Sequence, residues 1–221
     1  MAAAAASARP ALVLMARWPA PGRCKARLAS DLFGHLNLDG VGARSAWIQQ
    51  RLTGHTLAVA AELQRQALFT TVLAVSGLGP VAAQRWGQRH GIAKVRLQGP
   101  GSLGTRMKRQ LLIQRSAKQA ALVIGSDLPD LNRHDLLLAA ERLAERDLVL
   151  GPASDGGYWL IGLSARLLDA PERWPLSGIP WGGPQVCQST LKAAWRAGLS
   201  TDLLPERQDV DHLSDLDPWL G

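Results

Sequence analysis

The sequence contains little cysteine and no long apolar run. Its 221 residues include only Cys24 and Cys187, and no group of cysteines and histidines has the spacing of a zinc site. Scarce thiols predict a reducing compartment without a disulfide framework, so we expect a cytoplasmic protein. The longest apolar runs, such as residues 120–125, are far shorter than the ~20 residues that cross a bilayer, so no membrane span is predicted. Residues 1–10 are rich in alanine, lack a basic leader and are interpreted as a disordered tail.

Several familiar functional signatures are also missing. The chain has neither a Walker A loop nor a G-x-G-x-x-G turn, and none of its five histidines is spaced with a serine or cysteine as a nucleophile pair. The formal net charge is +7, but the arginines are dispersed and often lie beside glutamates, as in residues 141–146. This pattern is typical of solvated helix faces rather than of a nucleic-acid surface, which leaves an anionic small molecule as the predicted partner.

Alternating strand and helix patterns predict an α/β fold with a mostly parallel sheet. Apolar and β-branched runs predict strands at residues 11–16, 68–75, 92–98, 120–125, 147–150 and 158–163. Helical patterns cover residues 41–63, 81–90, 102–116, 132–146 and 184–198. Nothing divides the chain, so we expect one domain over residues 11–221. Because ligands of such sheets bind at the carboxyl ends of the strands, the predicted site comprises the loops 17–27, 126–130 and 151–157.

The loop after the first predicted strand concentrates positive charge. Besides Gly22, which lets the backbone approach a ligand closely, it holds four cations within eleven residues: Arg17, Arg23, Lys25 and Arg27. Cations beside the free N–H groups of a helix start form an anion site, so this loop is predicted to bind the phosphates of a nucleotide. Lys25 and Arg27 are then expected to be exposed side chains that steady the β and γ oxygens. The alternative is a surface loop with solvated charges.

Three aspartates are the predicted ligands of a divalent metal. Asp127 follows a buried strand, and a carboxylate there can hold Mg²⁺ or Mn²⁺ against phosphate oxygens. Asp209 and Asp211 are two residues apart, so in an extended segment both point to the same face and could complete the site. We therefore expect the Asp127 carboxylate within about 8 Å of Asp209 or Asp211. The alternatives are a capping role for Asp127 and an exposed acidic turn at residues 209–211.

Residues 154–159, Ser-Asp-Gly-Gly-Tyr-Trp, combine a glycine turn with an aromatic strand. The backbone N–H groups of Gly156 and Gly157 are predicted to hold an acceptor or a sugar, and Asp155 is predicted to orient its hydroxyl groups. An Asp-Gly pair is also ordinary in a hairpin turn, so a purely structural role is the alternative.

These motifs together resemble a known family. The segments that carry the resemblance are MARWPAPGRCKARL (15–28), GSDLPDL (125–131), GPASDGGYWLIGL (151–163), IPW (179–181) and DVD (209–211). They look like the bacterial glycosyltransferase-A-like family labelled selenodomain-associated transferase one, a group similar to 2-phospholactate guanylyltransferase. The likeness covers nearly the whole chain from residue 11, and the DGGYWLIGL stretch is its most specific part.

The resemblance implies a nucleotide-diphospho-sugar transferase fold, with a mixed, mainly parallel sheet between helices. It implies catalytic roles for Lys25, Asp127 and Asp155. It also implies that Ala16, Gly104 and Ser126 contact the nucleotide, in addition to the residues of the basic loop. Acceptor contacts are implied for Tyr158 and Trp181, together with Asp155, Gly156 and Gly157.

The chain departs from the family pattern at two places. Ser102 and Thr105 stand where the family usually has acidic residues on either side of a Leu-Gly pair. Gly182-Gly183 stand where the family tends to have Ser-Thr after the tryptophan. Both departures fall on the acceptor side of the implied pocket, so they indicate an altered choice of substrate.

Two reactions fit a nucleotide-binding fold of this kind. A nucleotidyltransferase moves a nucleoside monophosphate from a triphosphate onto a small phosphorylated or hydroxylated acceptor, and the basic loop would neutralise its pyrophosphate leaving group. A glycosyltransferase moves a sugar from a nucleotide-sugar. A lone Asp127, rather than an Asp-x-Asp motif, favours nucleotidyl transfer. A nucleotide-binding module without turnover is the third alternative, and a homodimer is left open.

Overall fold

The computed structural model describes residues 9–36 and 39–219, so most of the predicted tail at residues 1–10 lies outside the described residues. The strands found there are β1 (Ala11–Arg17), β2 (Thr70–Ser76), β3 (Lys94–Leu97), β4 (Ala121–Ile124), β5 (Leu148–Pro152), β6 (Tyr158–Leu163) and β7 (Thr201–Leu203). The α-helices are α1 (Ala26–Leu36), α2 (Val41–Arg65), α3 (Pro80–Arg89), α4 (Leu103–Gln114), α5 (Arg133–Arg142), α6 (Ala165–Leu168) and α7 (Val186–Arg196). Short 3-10 turns occupy Arg115–Ala117, Pro171–Arg173 and Ser214–Trp219.

The strands form one mixed sheet in the order β3-β2-β1-β4-β6-β5-β7. Strands β1 to β4 run parallel, and β5 pairs in parallel with β7. Strand β6 lies antiparallel to both of its neighbours, β4 and β5. This arrangement confirms the predicted α/β class with a mainly parallel sheet. The sequence does not predict β7 or α6, because three and four residues are too few to show a hydrophobic period.

Alternation along β1 divides the hydrophobic core into two layers. Leu12, Leu14 and Ala16 point to the face that packs with α2, α3 and α5. Ala11 and Val13 point to the opposite face, which packs with α4, α6 and α7. Because helices cover both faces, β1 is a continuous apolar run in the sequence. Within the described residues, no helix combines the length and the apolar character needed to cross a bilayer.

The topology brings the predicted loops to one edge of the sheet. The parallel strands β1 and β4 both end at this edge, where residues 17–27 and 126–130 follow them. Because β6 is antiparallel to β4, its first residue, Tyr158, lies at the same edge as the end of β5. The segment after β7 returns there as well, since Ala153 and Arg207 form an isolated bridge.

Arg207 anchors this returning segment. Its backbone N–H donates to the carbonyl of Pro152 at 3.0 Å, and its own carbonyl accepts from Ser154 N–H at 3.1 Å. Its guanidinium forms salt bridges with Asp130 and with Asp135, which lies at the start of α5. The Asp135 side chain is only 7% exposed, so this charge depends on its partner. The anchored residue lies two positions before Asp209, and therefore fixes where the C-terminal aspartates lie.

Replacing Arg207 should destabilise the fold. In Arg207→Ala the buried Asp135 carboxylate loses its charge partner, which typically costs about 3 kcal/mol or more in the free energy of unfolding. Urea unfolding followed by circular dichroism measures this change. The control is Arg146→Ala, because this exposed arginine forms no side-chain hydrogen bond or salt bridge with residues 9–36 or 39–219, and it should stay within about 0.5 kcal/mol of wild type. Equal stabilities for the two variants would contradict an anchoring role.

Candidate functional site

A cleft of about 450 Å³ opens at this edge of the sheet. Its floor is formed by the ends of β1, β4 and β6, with Met15, Ile124 and Ile161 among the lining residues. One wall is the basic loop after β1, and a second wall is formed by residues from the segments 153–158 and 181–186. Four carboxylates face the cleft: Asp127, Asp155, Asp209 and Asp211. The structure therefore brings together the three loops that the sequence predicted, and adds the C-terminal segment.

A buried ammonium group lies at the centre of these charges. Lys25 Nζ is 3.0 Å from Asp127 Oδ2 and 3.0 Å from Asp211 Oδ1, and Arg27 Nη1 is 3.3 Å from Asp211 Oδ2. The Asp127 and Asp211 carboxylates share one nitrogen, so the predicted separation within about 8 Å is confirmed. Burial lowers the pKa of Lys25, but the two carboxylates outweigh it and raise the pKa overall, so the ammonium stays charged.

The expectation that Lys25 is an exposed side chain was wrong. The residue is 8% exposed, because the chain turns inward there with φ at +51°, a left-handed conformation that is unfavourable for a residue with a side chain. Arg27, by contrast, is 65% exposed, as expected. A strained backbone that points a lysine at two carboxylates is unusual in an ordinary surface loop, and this favours a functional role over the solvated alternative.

Asp127 is held on its other side by a residue that the sequence analysis missed. Gln49, in the middle of α2, donates from Nε2 to Asp127 Oδ1 at 2.7 Å, so each carboxylate oxygen has one strong partner. The same amide lies within hydrogen-bonding distance of Thr53 and of Ser126, and all three side chains are buried. A buried glutamine within the apolar stripe of a long helix is the signal that could have found it.

The C-terminal aspartates face the cleft because the residue between them is fixed. Val210 is 1% exposed and donates its backbone N–H to the Asp127 carbonyl at 3.2 Å. Asp209 and Asp211 therefore both line the cleft, which matches the prediction that they point to the same face. Downstream, Asp215 Oδ2 accepts from the backbone N–H groups of Asp211 and His212, which holds the end of the segment.

Asp209 has a strongly perturbed acidity. Burial raises the pKa of this carboxyl to about 6, and the nearby negative charges of Asp211 and Asp155 add to the increase. Lys25 opposes the shift without cancelling it. A carboxyl group with this pKa changes its charge near neutral pH, which is a property of groups at functional sites.

Asp155 and two aromatic rings belong to the second wall, from the segments 153–158 and 181–186. Asp155 Oδ1 accepts from Gly157 N–H at 2.8 Å and closes the turn after β5. Tyr158 and Trp181 meet edge to face, with ring centroids 6.3 Å apart and an angle of 84°. The Trp181 indole covers Gly104, where an added Cβ would lie 2.3 Å from the ring. Of the acceptor residues implied by the resemblance, Asp155, Gly157, Tyr158 and Trp181 line the cleft, and their contacts with an acceptor stay predictions.

Other predicted residues support the cleft or lie beside it. Gly156 is locked against the Pro184 carbonyl, which an added Cβ would meet at 1.9 Å. The Ala16 side chain is buried in the core, and its carbonyl accepts from the Gln98 amide at 3.1 Å. Gly104 lies beneath Trp181, so neither Ala16 nor Gly104 is at the cleft surface. Their contacts with a nucleotide stay predictions.

The basic loop also borders a second, more open depression. This depression has a volume of about 470 Å³, and its lining includes Gly22, Arg23 and residues 76–77 after β2. Arg17 Nη1 donates to the Arg23 carbonyl at 2.8 Å, which braces the loop between the two openings. Arg17, Cys24 and Lys25 line both openings, so a long anion could extend from the cleft onto the outer face of the loop.

The donor chemistry of the cleft fits a hard divalent ion. No group of three or more His, Cys, Asp or Glu side chains in residues 9–36 and 39–219 is arranged to hold a metal. Mg²⁺, however, commonly uses one or two carboxylates and completes its shell with waters and substrate phosphates. Asp127 and Asp211 supply two such carboxylates, and the Lys25 ammonium holds the position between them. Metal binding by Asp127, Asp209 and Asp211 is therefore compatible with the residues present and stays a prediction.

Comparisons with known proteins place this geometry in context. A family model described as "Uncharacterized protein conserved in bacteria (DUF2064)" matches residues 57–183. No curated protein matches the sequence. Among solved structures, a candidate nucleotide-diphospho-sugar transferase from Desulfovibrio desulfuricans G20 has a TM-score of 0.75 and 26% identity, over 94% of this chain and 84% of that chain.

Two further solved structures share the fold at lower identity. A 4-diphosphocytidyl-2C-methyl-D-erythritol synthase from Anaerococcus prevotii DSM 20548 has a TM-score of 0.58 and 7% identity, over 95% of this chain and 96% of that chain. A cytidylyltransferase from Leptospira borgpetersenii has a TM-score of 0.57 and 11% identity, over 96% of this chain and 85% of that chain. The nucleotide-diphospho-sugar transferase fold expected from the sequence is thereby confirmed.

Removing the Asp209 charge should stabilise the free protein at high pH. The pKa of Asp209 is about 6 in the folded protein and about 4 in the unfolded chain, so folding favours the protonated carboxyl. The stability that this preference contributes is complete below about pH 4 and is lost as the pH rises through about 6. Near pH 8, the free energy of unfolding of Asp209→Asn should therefore be about 1 to 2 kcal/mol higher than that of wild type, a range that allows for solvent screening. Near pH 4, the two proteins should be equally stable. Urea unfolding without divalent metal at both pH values measures this.

The matched control is Asp169→Asn, because Asp169 is exposed and lies outside the cleft. This variant should stay within about 0.5 kcal/mol of wild type at both pH values. A stability gain for Asp209→Asn that is equal at the two pH values would contradict the raised pKa.

Proposed function

This chain belongs to the bacterial DUF2064 family, and we propose that it is a nucleotidyltransferase that moves a nucleoside monophosphate from a triphosphate onto a small acceptor. The observation that supports this most is the buried Lys25 ammonium between Asp127 and Asp211, at the point where the basic loop meets the cleft. This arrangement supports the proposal because a cation and two carboxylates of the kind that bind divalent metals lie together in one cleft.

The charges suit a triphosphate in a particular orientation. Lys25 lines both the cleft and the outer depression, so it can steady the β and γ phosphates while the α phosphate stays in the cleft. Arg17, Arg23 and the exposed Arg27 lie around the same loop and add positive charge for a departing pyrophosphate. In the free protein the carboxylates of Asp127 and Asp211 neutralise Lys25. A bound triphosphate would take over that role.

Asp127, with Asp211 or Asp209, would hold Mg²⁺ or Mn²⁺ once Lys25 turns to the phosphates. A divalent ion held by these carboxylates would supply positive charge to neutralise the charge that develops on the phosphates. Gln49 keeps the Asp127 carboxylate in a fixed orientation through its 2.7 Å hydrogen bond. In the proposed reaction, an acceptor oxygen attacks the α phosphorus in line with the bond to the leaving pyrophosphate, and Asp155 orients that acceptor.

Glycosyl transfer is the second candidate. The Desulfovibrio desulfuricans protein, at 26% identity over most of both chains, is described as a candidate nucleotide-diphospho-sugar transferase. Two other proteins with this fold are named for cytidylyl compounds or cytidylyl transfer, so the fold also accommodates nucleotidyl transfer. The basic loop and the lone Asp127 favour nucleotidyl transfer here, and the narrower likeness to 2-phospholactate guanylyltransferase stays a prediction. A binding module without turnover, a homodimer and a cytoplasmic location also stay predictions.

Lys25→Gln should separate phosphate binding from nucleoside binding. A charge-assisted phosphate contact contributes roughly 1.5 to 3 kcal/mol, so affinity for a nucleoside triphosphate with Mg²⁺ should fall on the order of tenfold to a hundredfold. Affinity for the matching nucleoside should not change. Calorimetric titrations with GTP, CTP, guanosine and cytidine measure both quantities, and circular dichroism checks that the variant is folded, because removing a buried charge partner also destabilises the protein.

The matched control is Lys192→Gln, an exposed lysine on α7 that does not line the cleft. It should bind every ligand as wild type does. Equal losses for triphosphate and nucleoside in Lys25→Gln would mean that the loop does not bind phosphates. Tighter wild-type binding of UDP-glucose or GDP-mannose than of any triphosphate would instead favour glycosyl transfer.

A further inference from the structure

The two walls of the cleft differ in charge. Only two cations line the cleft within the described part of the chain, Arg17 and Lys25, and both belong to the loop after β1. Lys25 is already bound to two carboxylates, and Arg17 is tied to the Arg23 carbonyl. The wall formed by residues 153–158 and 181–186 has Asp155 as its one charged residue. An acceptor bound at this wall therefore meets the Asp155 carboxylate and no cation that belongs to the wall itself.

The same wall is aromatic and uncharged apart from Asp155. Tyr158 and Trp181 present two rings at right angles, which form a corner rather than a flat surface. Burial raises the pKa of the Tyr158 phenol well above its ordinary value, so this ring stays neutral. Gly104 beneath the indole lets Trp181 pack directly against the start of α4, which fixes its position.

Two further features of this wall bear on what it can bind. One is a carboxylate oxygen that can accept a hydrogen bond from a hydroxyl group, and the other is open space beside Trp181. Asp155 Oδ1 holds Gly157 N–H, while Oδ2 makes no hydrogen bond to any residue in 9–36 or 39–219 and is available as an acceptor. Gly182 lies beside Trp181 at the cleft, with φ at +85° and open space where a side chain would be. A ring-shaped molecule could pack against the indole and extend past these glycines.

We propose that the acceptor is a neutral polyhydroxylated compound with an apolar face, such as a sugar or a cyclic polyol, and that this wall of the cleft rejects phosphate monoesters. The proposal rests on the proposed nucleotidyl transfer. An apolar sugar face packs on Trp181, a hydroxyl donates to Asp155 Oδ2, and a phosphate dianion at this wall would be repelled by Asp155.

The reaction that follows is a simple exchange at phosphorus. The acceptor hydroxyl oxygen forms a bond to the α phosphorus, and the bond from that phosphorus to the oxygen that joins the α and β phosphates breaks. The pyrophosphate takes the electron pair of that bond, and the hydroxyl proton leaves to solvent water. No oxidant or reductant is needed.

Matched pairs of acceptors test the selectivity. Each pair comprises a hexose, a hexosamine or inositol and its phosphate monoester, supplied with GTP or CTP and Mg²⁺, with pyrophosphate release as the readout. The neutral member should have at least a tenfold higher kcat/KM than its phosphate ester. Asp155→Lys should reduce that ratio, because it places a cation at the wall. A preference of the wild-type protein for any phosphate ester over its neutral partner would overturn the proposal.

Fluorescence quenching gives an answer that does not depend on finding the acceptor. The Trp181 signal is obtained as the difference between wild type and Trp181→Phe, and is titrated with iodide and with acrylamide. The ratio of iodide to acrylamide quenching constants should be at least threefold lower than for free N-acetyltryptophanamide, and should rise in Asp155→Lys. A ratio equal to that of the free indole would overturn the proposal.

The two proposals fail in different ways. Loss of iodide exclusion or preference for phosphate esters, with triphosphate binding intact, would remove only the acceptor class. Absence of triphosphate binding, with iodide still excluded from Trp181, would remove nucleotidyl transfer. In that second case the neutral aromatic wall would hold the sugar of a nucleotide-sugar.

Discussion

The arrangement of the cleft depends on one buried ammonium group. Lys25 contacts Asp127 and Asp211, which lie 102 and 186 positions further along the chain. Without this cation the two carboxylates would repel each other at short range, and the C-terminal segment would lose one of its links to the loop after β1. Because a buried charge requires a partner, the contact also links the loop after β1 to the loop after β4 and to the C-terminal segment. In the free protein the same cation occupies the position where a divalent ion and phosphates are proposed to bind.

The sheet topology makes that contact available. Parallel strands β1 and β4 deliver the Lys25 loop and Asp127 to the same edge, and the antiparallel β6 returns Tyr158 to it. The segment after β7 is held by Arg207 and by the bond from Val210 to the Asp127 carbonyl. The result is a cleft with Lys25 and Arg17 on one wall, where phosphates are proposed to bind, and with Asp155 and two aromatic rings on another, where an acceptor is proposed to bind.

The sequence predicted the α/β class, the three converging loops and the proximity of Asp127 to Asp211, because these follow from hydrophobic periods and from the strand-end rule. It did not predict the burial of Lys25, because that depends on a left-handed backbone at a residue that is not glycine. Gln49 and Arg207 were missed for a related reason. Each acts through partners 72 to 78 positions away, and a local pattern carries no information about such contacts.

The most direct test of this account is the ¹⁵N NMR signal of the Lys25 ammonium, assigned by its loss in Lys25→Gln. In the free protein, slow hydrogen exchange should make the signal of this buried, hydrogen-bonded group observable. Addition of a nucleoside triphosphate with Mg²⁺ should shift it, because the ammonium exchanges Asp127 and Asp211 for phosphate oxygens, whereas the nucleoside alone should leave it in place. A signal that does not move when the triphosphate binds would contradict the claim that Lys25 is released to the phosphates.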